Sequence, residues 1–256
     1  MDVIISGYSG FVGSHLLKVL KKKNSVVKLN LRNFKNLEKK KIINFLNKNC
    51  KKDTILINCA SSLNPKTKQD FFLNAKLPEI FFDFTKKNNL KFIHISTINT
   101  LIKERKDDYT ISKKKGEIKI NEQNCSIIRL PLIVKKKGDI YLQEGQLKKF
   151  FLYLKFFKLP IYPFIYPGAL YRPIDIDDIC RKIILLLKKK KCGNINIQGK
   201  KIMSSFELFK IICNQNNKYC LKIPTSWLKK IIPNPIKNIL YRNNFFQQIL
   251  NVKNYI

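Results

Sequence analysis

Acidic residues are few in this chain: 17 aspartates and glutamates stand against 51 lysines and arginines, which gives a formal net charge of +34. The excess of positive charge favours an anionic partner, such as a nucleic acid, a membrane surface or an anionic substrate. Arginine, the better reader of bases and phosphates, is scarce, and the lysines form scattered runs. This distribution favours a compositional bias of the kind that an AT-rich genome produces, and we expect no specific nucleic-acid binding.

Close cysteine pairs are lacking as well. The seven cysteines, at positions 50, 59, 125, 180, 192, 213 and 220, form no Cys-x-x-Cys pair and no spacing typical of a metal site. Several lie in apolar runs, where cysteine behaves as a small hydrophobic residue. The pattern predicts no metal and no disulfide, and it favours the reducing cytoplasm as the location.

Neither a leader sequence nor a membrane-spanning run is expected. Met1-Asp2 leads directly into an apolar strand, with no basic segment before a long apolar stretch. Residues 147–171 are rich in Phe, Tyr, Leu, Ile and Pro, but lysines and prolines interrupt them, so we predict no transmembrane segment. An interfacial membrane contact stays open for this stretch, beside the favoured interpretation as a substrate-covering subdomain.

Short apolar runs alternate with amphipathic stretches through the first 135 residues. This order predicts an α/β fold with a doubly wound parallel sheet of the Rossmann type, whose ligands bind at the carboxyl ends of the strands. The predicted strands are Val3–Ser6, Val26–Leu31, Thr54–Asn58, Lys91–Ser96 and Ser126–Leu130. The predicted helices are Phe11–Lys22, Leu37–Lys48, Phe71–Asn88 and Tyr109–Gln123.

The alternation is lost after about residue 135. We therefore expect residues 1–135 to form the dinucleotide-binding core with its catalytic helix. Residues 136–256 are expected to form a mixed region, with a small C-terminal substrate-binding lobe and some elements that return to the core. Within it, a helix is predicted to end at Leu187, a strand to span Asn194–Gln198, and a further helix to begin near Ser204.

Three glycines at intervals of three follow the first predicted strand. Gly7 permits a tight turn, Gly10 lets the backbone approach a pyrophosphate, and Gly13 lets the following helix pack closely on the strand. The amino terminus of that helix would face the phosphate charge. This strand–turn–helix setting predicts a dinucleotide site.

A second motif, Tyr109-Thr-Ile-Ser-Lys113, places a phenol and an ammonium four residues apart on one face of a helix. A lysine beside a phenol favours the phenolate and lowers its pKa, so the tyrosine could serve as acid or base near neutral pH. A hydroxyl opposite would position the reacting oxygen. The candidate is Thr97, with Ser96 as the alternative, at the end of the fourth predicted strand.

These features resemble the short-chain dehydrogenase/reductase superfamily, and more closely its extended branch, the NAD-dependent epimerase/dehydratase family that acts on nucleotide sugars. The resemblance covers most of the chain. It is carried by Ser6–Gly13, Asn58–Ser61, Asn74–Pro78, Ile93–Thr97, Tyr109–Lys113 followed by Gly116-Glu117, Ile128–Pro131 and Ile174–Asp178.

The resemblance implies a catalytic triad in which Thr97 supplies the hydroxyl, Tyr109 is the acid or base, and Lys113 supports the tyrosine and holds the nicotinamide ribose. It implies a substrate-binding role for Arg172. The cofactor-binding residues that it implies are Gly7, Ser9, Gly10, Phe11, Val12, Gly13, Arg32, Asn58, Ala60, Ser61, Tyr109, Lys113 and Pro131.

One departure from the extended branch concerns the substrate. Thr97 and Tyr109 are 109 − 97 = 12 residues apart, about half the interval usual in that branch, although the single-domain branch uses roughly this shorter interval. The missing loop normally lines the sugar pocket, so the identity of the sugar stays open.

The choice of cofactor depends on the end of the second strand. An acidic residue there would bind the ribose 2′-hydroxyl of NAD, but the sequence has Asn30-Leu-Arg32. Arg32 could pair with a 2′-phosphate, which favours NADP(H) slightly over NAD(H).

The resulting hypothesis is an NAD(P)-dependent oxidoreductase that acts on a nucleotide sugar in surface polysaccharide or deoxysugar biosynthesis. A 4-keto reductase and a 4-epimerase both fit, and a homodimer is compatible with either. The alternative is a non-catalytic NAD(P)-binding regulatory or assembly protein of the same fold. Retention of Thr97, Tyr109 and Lys113 together speaks against that alternative.

Overall fold

The computed structural model describes residues 2–34, 37–103, 105–120, 124–157, 159–166, 168–188 and 192–224. Contacts within the chain divide it into two compact units. The first comprises Met1–Leu130 and Ile176–Ile197, and the second comprises Pro131–Asp175 and Gln198–Ile256. The chain thus leaves the first unit after the fifth strand and re-enters it for one helix and one strand.

A six-stranded parallel sheet forms the centre of the first unit. Its strands are β1 (Asp2–Ser6), β2 (Ser25–Leu29), β3 (Ile55–Asn58), β4 (Lys91–Thr97), β5 (Cys125–Leu130) and β12 (Gly193–Asn196). Their order across the sheet is β12-β5-β4-β3-β1-β2. The order reverses between β1 and β3, which is where such sheets bind their ligands. The parallel, doubly wound sheet that the sequence predicts is confirmed.

Helices cover both faces of this sheet. They are α1 (Phe11–Leu20), α2 (Lys39–Asn49), α3 (Lys68–Phe71), α4 (Leu77–Lys87), α5 (Asp108–Glu117) and α7 (Ile176–Lys188), and a π-helical turn spans Phe72–Lys76. Ile4 and Leu56 pack with α2 and α4 in one buried cluster. Val3 and Ile5 point to the opposite face and are equally buried, which explains why β1 is apolar at every position from 3 to 5.

One predicted helix differs clearly from the structure. The stretch predicted from Phe71 begins instead at Lys68, because Thr67 and Asp70 form a capping box: Thr67 Oγ1 accepts from Asp70 N (3.1 Å), and Asp70 Oδ2 accepts from Thr67 N (3.0 Å). The π-helical turn then interrupts the helical run before α4. Apolar periodicity does not reveal either feature.

Other element ends also differ from the prediction. The second strand ends at Leu29 rather than Leu31, and residues 31–33 form a 3₁₀ turn in which the Asn30 side chain accepts a hydrogen bond from Arg32 N. Helix α5 ends at Glu117, and residues 121–123 of the predicted helix lie outside the described residues.

Among its described residues, the second unit contains short strand pairs and two helices. Strand β9 (Ile161–Tyr166) pairs in parallel with β14 (Tyr219–Pro224). The other described strand pairs of the second unit are β6 (Ile133–Val134) with β11 (Ile174–Asp175), β7 (Lys136–Lys137) with β8 (Ile140–Tyr141), and β10 (Leu170–Tyr171) with β13 (Met203–Ser204). Helices α6 (Lys148–Phe157) and α8 (Ser205–Gln215) enclose a core around Tyr162, which is fully buried. Ser204 caps α8 in a capping box with Glu207, close to the predicted helix start.

Within the described ranges, no helix is long and apolar enough to cross a membrane. The same part of the chain contains no group of three or more His, Cys, Asp or Glu side chains placed to hold a metal ion.

Helix α5 lies very close to the π-helical turn because Gly116 has no side chain. A Cβ at this position would lie 2.2 Å from the backbone oxygen of Asn74 and 3.3 Å from Pro78 Cγ. Since the first of these atoms belongs to the backbone, it cannot move aside cheaply. Gly116 therefore fixes how closely the helix that carries Tyr109 and Lys113 approaches its neighbour.

We predict that Gly116→Ala destabilises the fold by about 1–3 kcal/mol, the range for overpacking a core. In the exposed interior of a helix, a Gly→Ala substitution raises the free energy of unfolding by up to about 1 kcal/mol. The sign of the change at Gly116 therefore shows whether the close contact is present. Urea unfolding of the variant measures the difference. Lys115→Ala, at an exposed position of the same helix, is the control and should change little. A stabilised Gly116→Ala variant would contradict the close contact.

Candidate active site

The glycine-rich loop after β1 is shaped by contacts that only glycine permits. Gly7 has φ = +68°, and a Cβ there would lie 2.3 Å from Ala60 N. A Cβ at Gly13 would lie 2.1 Å from Gly7 O. The positive φ of Gly7 suits the predicted tight turn, and its lack of a side chain also lets the loop pass close to Ala60. Gly13 permits the close helix approach that its spacing predicts.

The same loop leaves the amino terminus of α1 open to an anion. Gly10 occupies the N-cap and offers no side chain to cap the first N–H groups, and the first turn contains no acidic residue. Ser9 and Gly10 are exposed, and Phe11 and Val12 are partly exposed. Backbone donors and a helix dipole without a competing carboxylate fit a pyrophosphate, so these residues suit the dinucleotide cofactor.

Asn58, at the end of β3, ties three strands together beneath the loop. Its Oδ1 accepts hydrogen bonds from Ser6 Oγ (2.7 Å) and Ala60 N (3.1 Å), and its Nδ2 lies 3.2 Å from His94 Nδ1. Burial, followed by the charges of Lys113 and Arg129, holds the pKa of His94 well below its ordinary range, so the imidazole is neutral. Its Nδ1 can therefore accept from Asn58, which orients the amide toward the loop.

Asn74 forms a second polar centre from the π-helical turn. This fully buried amide accepts from Ser61 Oγ and Ser62 N (both 2.9 Å), and its Nδ2 donates to Ser62 O (2.8 Å) and Ser112 Oγ (3.0 Å). It thereby links the segment after β3 to helix α5. A buried amide with every group satisfied specifies one arrangement of its neighbours.

Tyr109 lies in the first turn of α5, which Asp107 caps by accepting from Thr110 N (2.8 Å). Arg105 Nε in turn donates to Asp107 Oδ2 (2.6 Å). Burial raises the pKa of the Tyr109 phenol to about 12, although its hydrogen bond with Ser61 and the charge of Arg105 act in the opposite direction. The phenol is therefore protonated at neutral pH.

Lys113 follows one turn later and is almost completely buried, at 1% exposure. Its Nζ donates to Ile95 O of β4 at 3.0 Å. Burial lowers the pKa of Lys113 to about 8, while Glu117 and Cys59 raise it. The sequence predicts that this ammonium lowers the pKa of Tyr109, whereas the groups that shift the phenol here are Ser61, Arg105 and Asp107. In this state the lysine charge is directed to the sheet.

Thr97 ends β4 and is buried, with its Oγ1 accepting a hydrogen bond from Asn99 N (3.3 Å). Its neighbour Ser96 has a different partner, because Ser96 Oγ donates to the Glu117 carboxylate. Glu117 also accepts from Thr100 Oγ1 (3.0 Å) and forms an ion pair with Arg129 (2.7 Å). Ser96 is thus committed to a structural network, which leaves Thr97 as the better hydroxyl of the two candidates.

The predicted site residues fall in both units of the chain. The first unit holds the glycine loop, Asn58–Ser61, Thr97, Tyr109 and Lys113, most of them at the carboxyl ends of β1, β3 and β4 or in the first turns of α5. Arg32 is also in this unit, exposed in the 3₁₀ turn after β2.

Pro131 and Arg172 belong to the second unit. There, Arg172 Nη1 donates to Gln198 Oε1 (3.2 Å), and the Arg172 backbone oxygen accepts from Gly199 N (3.2 Å). Its Nε is buried and has no hydrogen-bond partner among the described residues.

Sequence reasoning missed the supporting roles of several polar residues. It noted Asn74 and Glu117 within motifs but assigned neither a contact, and it gave His94, Ser112 and Arg129 no role. The signal that could have found them is a polar residue inside an otherwise buried element, as at position 94 in β4 or 129 in β5.

The strand order, the glycine loop beside the switch point and the helix carrying Tyr109 and Lys113 define a Rossmann-type α/β fold. No family model matches the chain, and no curated protein matches it. Solved structures do match it over most of its length.

A dTDP-4-dehydrorhamnose reductase from Clostridium acetobutylicum is 17% identical, with a TM-score of 0.72 over 89% of this chain and 85% of that one. The Bacillus anthracis dTDP-4-dehydrorhamnose reductase in complex with NADP is 18% identical, with a TM-score of 0.71 over 89% and 85% of the two chains. A UDP-glucose 4-epimerase from Thermotoga maritima with UDP-glucose is 16% identical, with a TM-score of 0.65 over 88% and 86%. At these identities the likeness establishes the fold.

We predict that Lys113→Met stabilises the protein at pH 7 by about 2 kcal/mol. A pKa of about 8 in the folded chain, against 10.5 unfolded, corresponds to a burial cost of roughly 3 kcal/mol at pH 7, and loss of the bond to Ile95 O offsets about 1 kcal/mol of the gain. Because the folded lysine releases its proton first, wild-type stability rises with pH between about 8 and 10.5, so the difference should shrink there.

Urea unfolding at pH 7 and near pH 10 measures this difference. Lys115→Met, on the exposed side of the same helix, is the matched control and should show no such pH dependence. A Lys113→Met protein that is less stable than wild type at pH 7, or equally altered at both pH values, would show that Lys113 carries no burial cost.

Proposed function

We propose that the protein is an NAD(P)-dependent oxidoreductase that acts on a nucleotide sugar, as a 4-keto reductase or a 4-epimerase. The observation that carries the proposal is the buried Lys113 on the helix of Tyr109, in the same unit as a glycine cradle open to a pyrophosphate. A buried cation with a lowered pKa costs stability, and such costs concentrate at functional sites. The fold shared with nucleotide-sugar reductases and epimerases supports the substrate class.

In the proposed reaction, NAD(P)H held by the glycine loop would be the source of the hydride that reduces the carbonyl carbon. Tyr109 Oη donates its proton to the carbonyl oxygen, and Thr97 Oγ1 donates a hydrogen bond to the same oxygen. The ammonium of Lys113 stabilises the phenolate that remains and holds the ribose hydroxyls. Proton transfer by a positioned side chain typically contributes 10²–10⁴-fold or so to the rate.

The protonation state of Tyr109 favours the reductive direction. A phenol with a pKa of about 12 carries its proton at neutral pH, as a general acid in the reductive direction must. An epimerase must also remove a proton from a sugar hydroxyl, which requires the phenolate and therefore a stronger influence of the Lys113 charge. We accordingly test the 4-keto reductase first and the 4-epimerase second.

Each group of proposed cofactor-binding residues would hold a different part of the cofactor. Gly7 to Gly13 would hold the pyrophosphate, while Asn58 to Ser61 would line the nicotinamide side. Arg32 is exposed and has no acidic residue beside it at the end of β2, which favours a 2′-phosphate and hence NADP(H).

The second unit supplies the remaining parts of the proposal. It would form the substrate-binding lobe, in which the buried Nε of Arg172, without a hydrogen-bond partner among the described residues, suits a nucleotide phosphate. Pro131 stays a predicted cofactor-binding residue. We further propose a cytoplasmic location, a homodimer as the first oligomer to test, and no specific nucleic-acid partner.

We predict that Tyr109→Phe abolishes turnover and leaves cofactor affinity nearly unchanged, because the phenyl ring keeps the shape of the side chain but has no proton to donate. The purified protein would be assayed for oxidation of NADPH and NADH with a panel of nucleotide 4-keto sugars, and cofactor binding would be measured by fluorescence titration. Loss of rate should be at least about 10²-fold.

The panel also decides between the classes of protein. A variant that retains most of the wild-type rate removes Tyr109 from the mechanism. Tight cofactor binding by the wild type, with no turnover or epimerisation of any sugar nucleotide, would favour the non-catalytic binding protein instead.

We predict that Arg32→Ala weakens NADPH binding by about 1.5–3 kcal/mol, the range for a hydrogen bond to a charged group, and leaves NADH binding nearly unchanged. Titrations at physiological ionic strength limit the general attraction of the cationic surface. Lys18→Ala, at an exposed position in the last turn of α1, controls for that attraction. Equal losses for both cofactors, or an equal loss in the control, would assign Arg32 no role in cofactor choice.

A further inference from the structure

We propose that helix α6 of the second unit docks the protein onto an anionic phospholipid surface. This inference is independent of the proposed function. It rests on which side chains the helix buries, which it exposes, and what charge accompanies them.

One side of α6 packs in the core of the second unit. Leu154 is buried, and its backbone oxygen accepts a hydrogen bond from Tyr162 Oη at 2.8 Å. The ring of Phe150 lies 5.3 Å from that of Phe164 and 4.4 Å from that of Phe209. These contacts fix the rotation of the helix about its axis.

The opposite side carries large apolar side chains where a surface helix ordinarily has polar ones. Phe156 is 81% exposed and Leu152, one turn earlier on the same face, is 47% exposed. Tyr153, at the edge of this face, is 41% exposed. The exposed apolar residues continue along the chain past the helix with Leu159 and Ile161.

The charged residues of α6 itself are all positive. Lys148 and Lys155 lie on the same side as Leu152 and Phe156, by their helical spacing, and the helix sequence contains no acidic residue. Lysine stems can lie along apolar surface while their ammonium groups reach outward to phosphate. Interleaved lysine and aromatic side chains are the pattern of helices that lie in a membrane interface.

The positive charge of α6 favours an anionic membrane over a second copy of the chain as the partner of this face. Two copies that met through this face would bring four lysines together with no carboxylate from α6 to neutralise them. An anionic lipid surface complements both the lysines and the net charge of +34, and it accepts the apolar side chains below its headgroups.

The test uses the full chain with vesicles of phosphatidylcholine alone, or with about 30 mol % phosphatidylglycerol added. Co-sedimentation at physiological ionic strength should show binding to the anionic vesicles. Leu152→Ser/Phe156→Ser should lower the partition coefficient by at least about tenfold through loss of apolar burial. Lys148→Gln/Lys155→Gln should lower the partition coefficient by about 30-fold, which corresponds to about 1 kcal/mol of attraction to the anionic surface for each lysine.

Matched controls distinguish binding through this face from nonspecific adsorption of the protein to vesicles. Ile118→Ser/Leu185→Ser removes two comparably exposed apolar residues of the first unit, and Lys39→Gln/Lys40→Gln removes two exposed lysines of α2. Both controls should bind vesicles nearly as wild type does. Equal losses in the controls, or no binding by the wild type, would overturn the proposal.

Two further results are decisive. Hydrogen–deuterium exchange on the wild-type chain should show slower exchange in α6, and not in α2, when anionic vesicles are added; unchanged exchange in α6 overturns the proposal without any variant. If Leu152→Ser/Phe156→Ser binds vesicles as wild type does but turns an oligomer into a monomer by light scattering, the face joins two copies of the chain and the proposal is wrong.

Discussion

The charge of Lys113 imposes the strictest constraint on the first unit. An ammonium at 1% exposure must keep a hydrogen-bond acceptor, and here Ile95 O of β4 supplies one at 3.0 Å. Around it, Glu117, which also pairs with Arg129, stabilises the ammonium, while burial and the charges of Lys113 and Arg129 keep His94 neutral. The ends of β4 and β5 and the first turns of α5 are therefore fitted to one buried cation.

That cation can lie so deep only because backbone segments approach one another closely. Gly116 brings α5 against the π-helical turn, and Gly7 lets the loop after β1 cross the end of β3 at Ala60. Between these two crossings, Asn74 bonds Ser61 on one side and Ser112 on the other. Ser61, the hydrogen-bond partner of Tyr109, and the glycine loop are thus parts of one connected framework. A rigid support of this kind is what the proposed active site needs.

Much of this framework could be predicted from local sequence. The sheet, the glycine loop and the helix of Tyr109 follow from apolar periodicity and from glycine spacing, both of which act over fewer than about 20 residues. The networks of Asn74 and of Glu117 with Arg129 could not, because each joins residues 12 or more positions apart whose partnership depends on packing. The burial of Lys113 could not be predicted either, because exposure is a property of the folded chain.

The pKa of Tyr109 shows the limit of motif reasoning most clearly. Spacing alone predicts a phenol made acidic by Lys113, whereas burial raises its pKa to about 12 and the lysine bonds the sheet. The difference arises because a motif gives the identity of neighbours along a helix but not their desolvation. In the proposed reaction, reduction of a carbonyl requires the protonated form of this phenol.

We propose that this site moves hydride between NAD(P)H and a nucleotide sugar. Mass spectrometry of the products can follow deuterium from NADPH or NADH, with deuterium at both C4 positions, to a nucleotide 4-keto sugar. We expect one carbon-bound deuterium in the reduced sugar for each cofactor oxidised. If the protein binds the reduced cofactor yet never transfers deuterium to any sugar nucleotide, and never interconverts 4-epimers, the proposed hydride transfer is wrong.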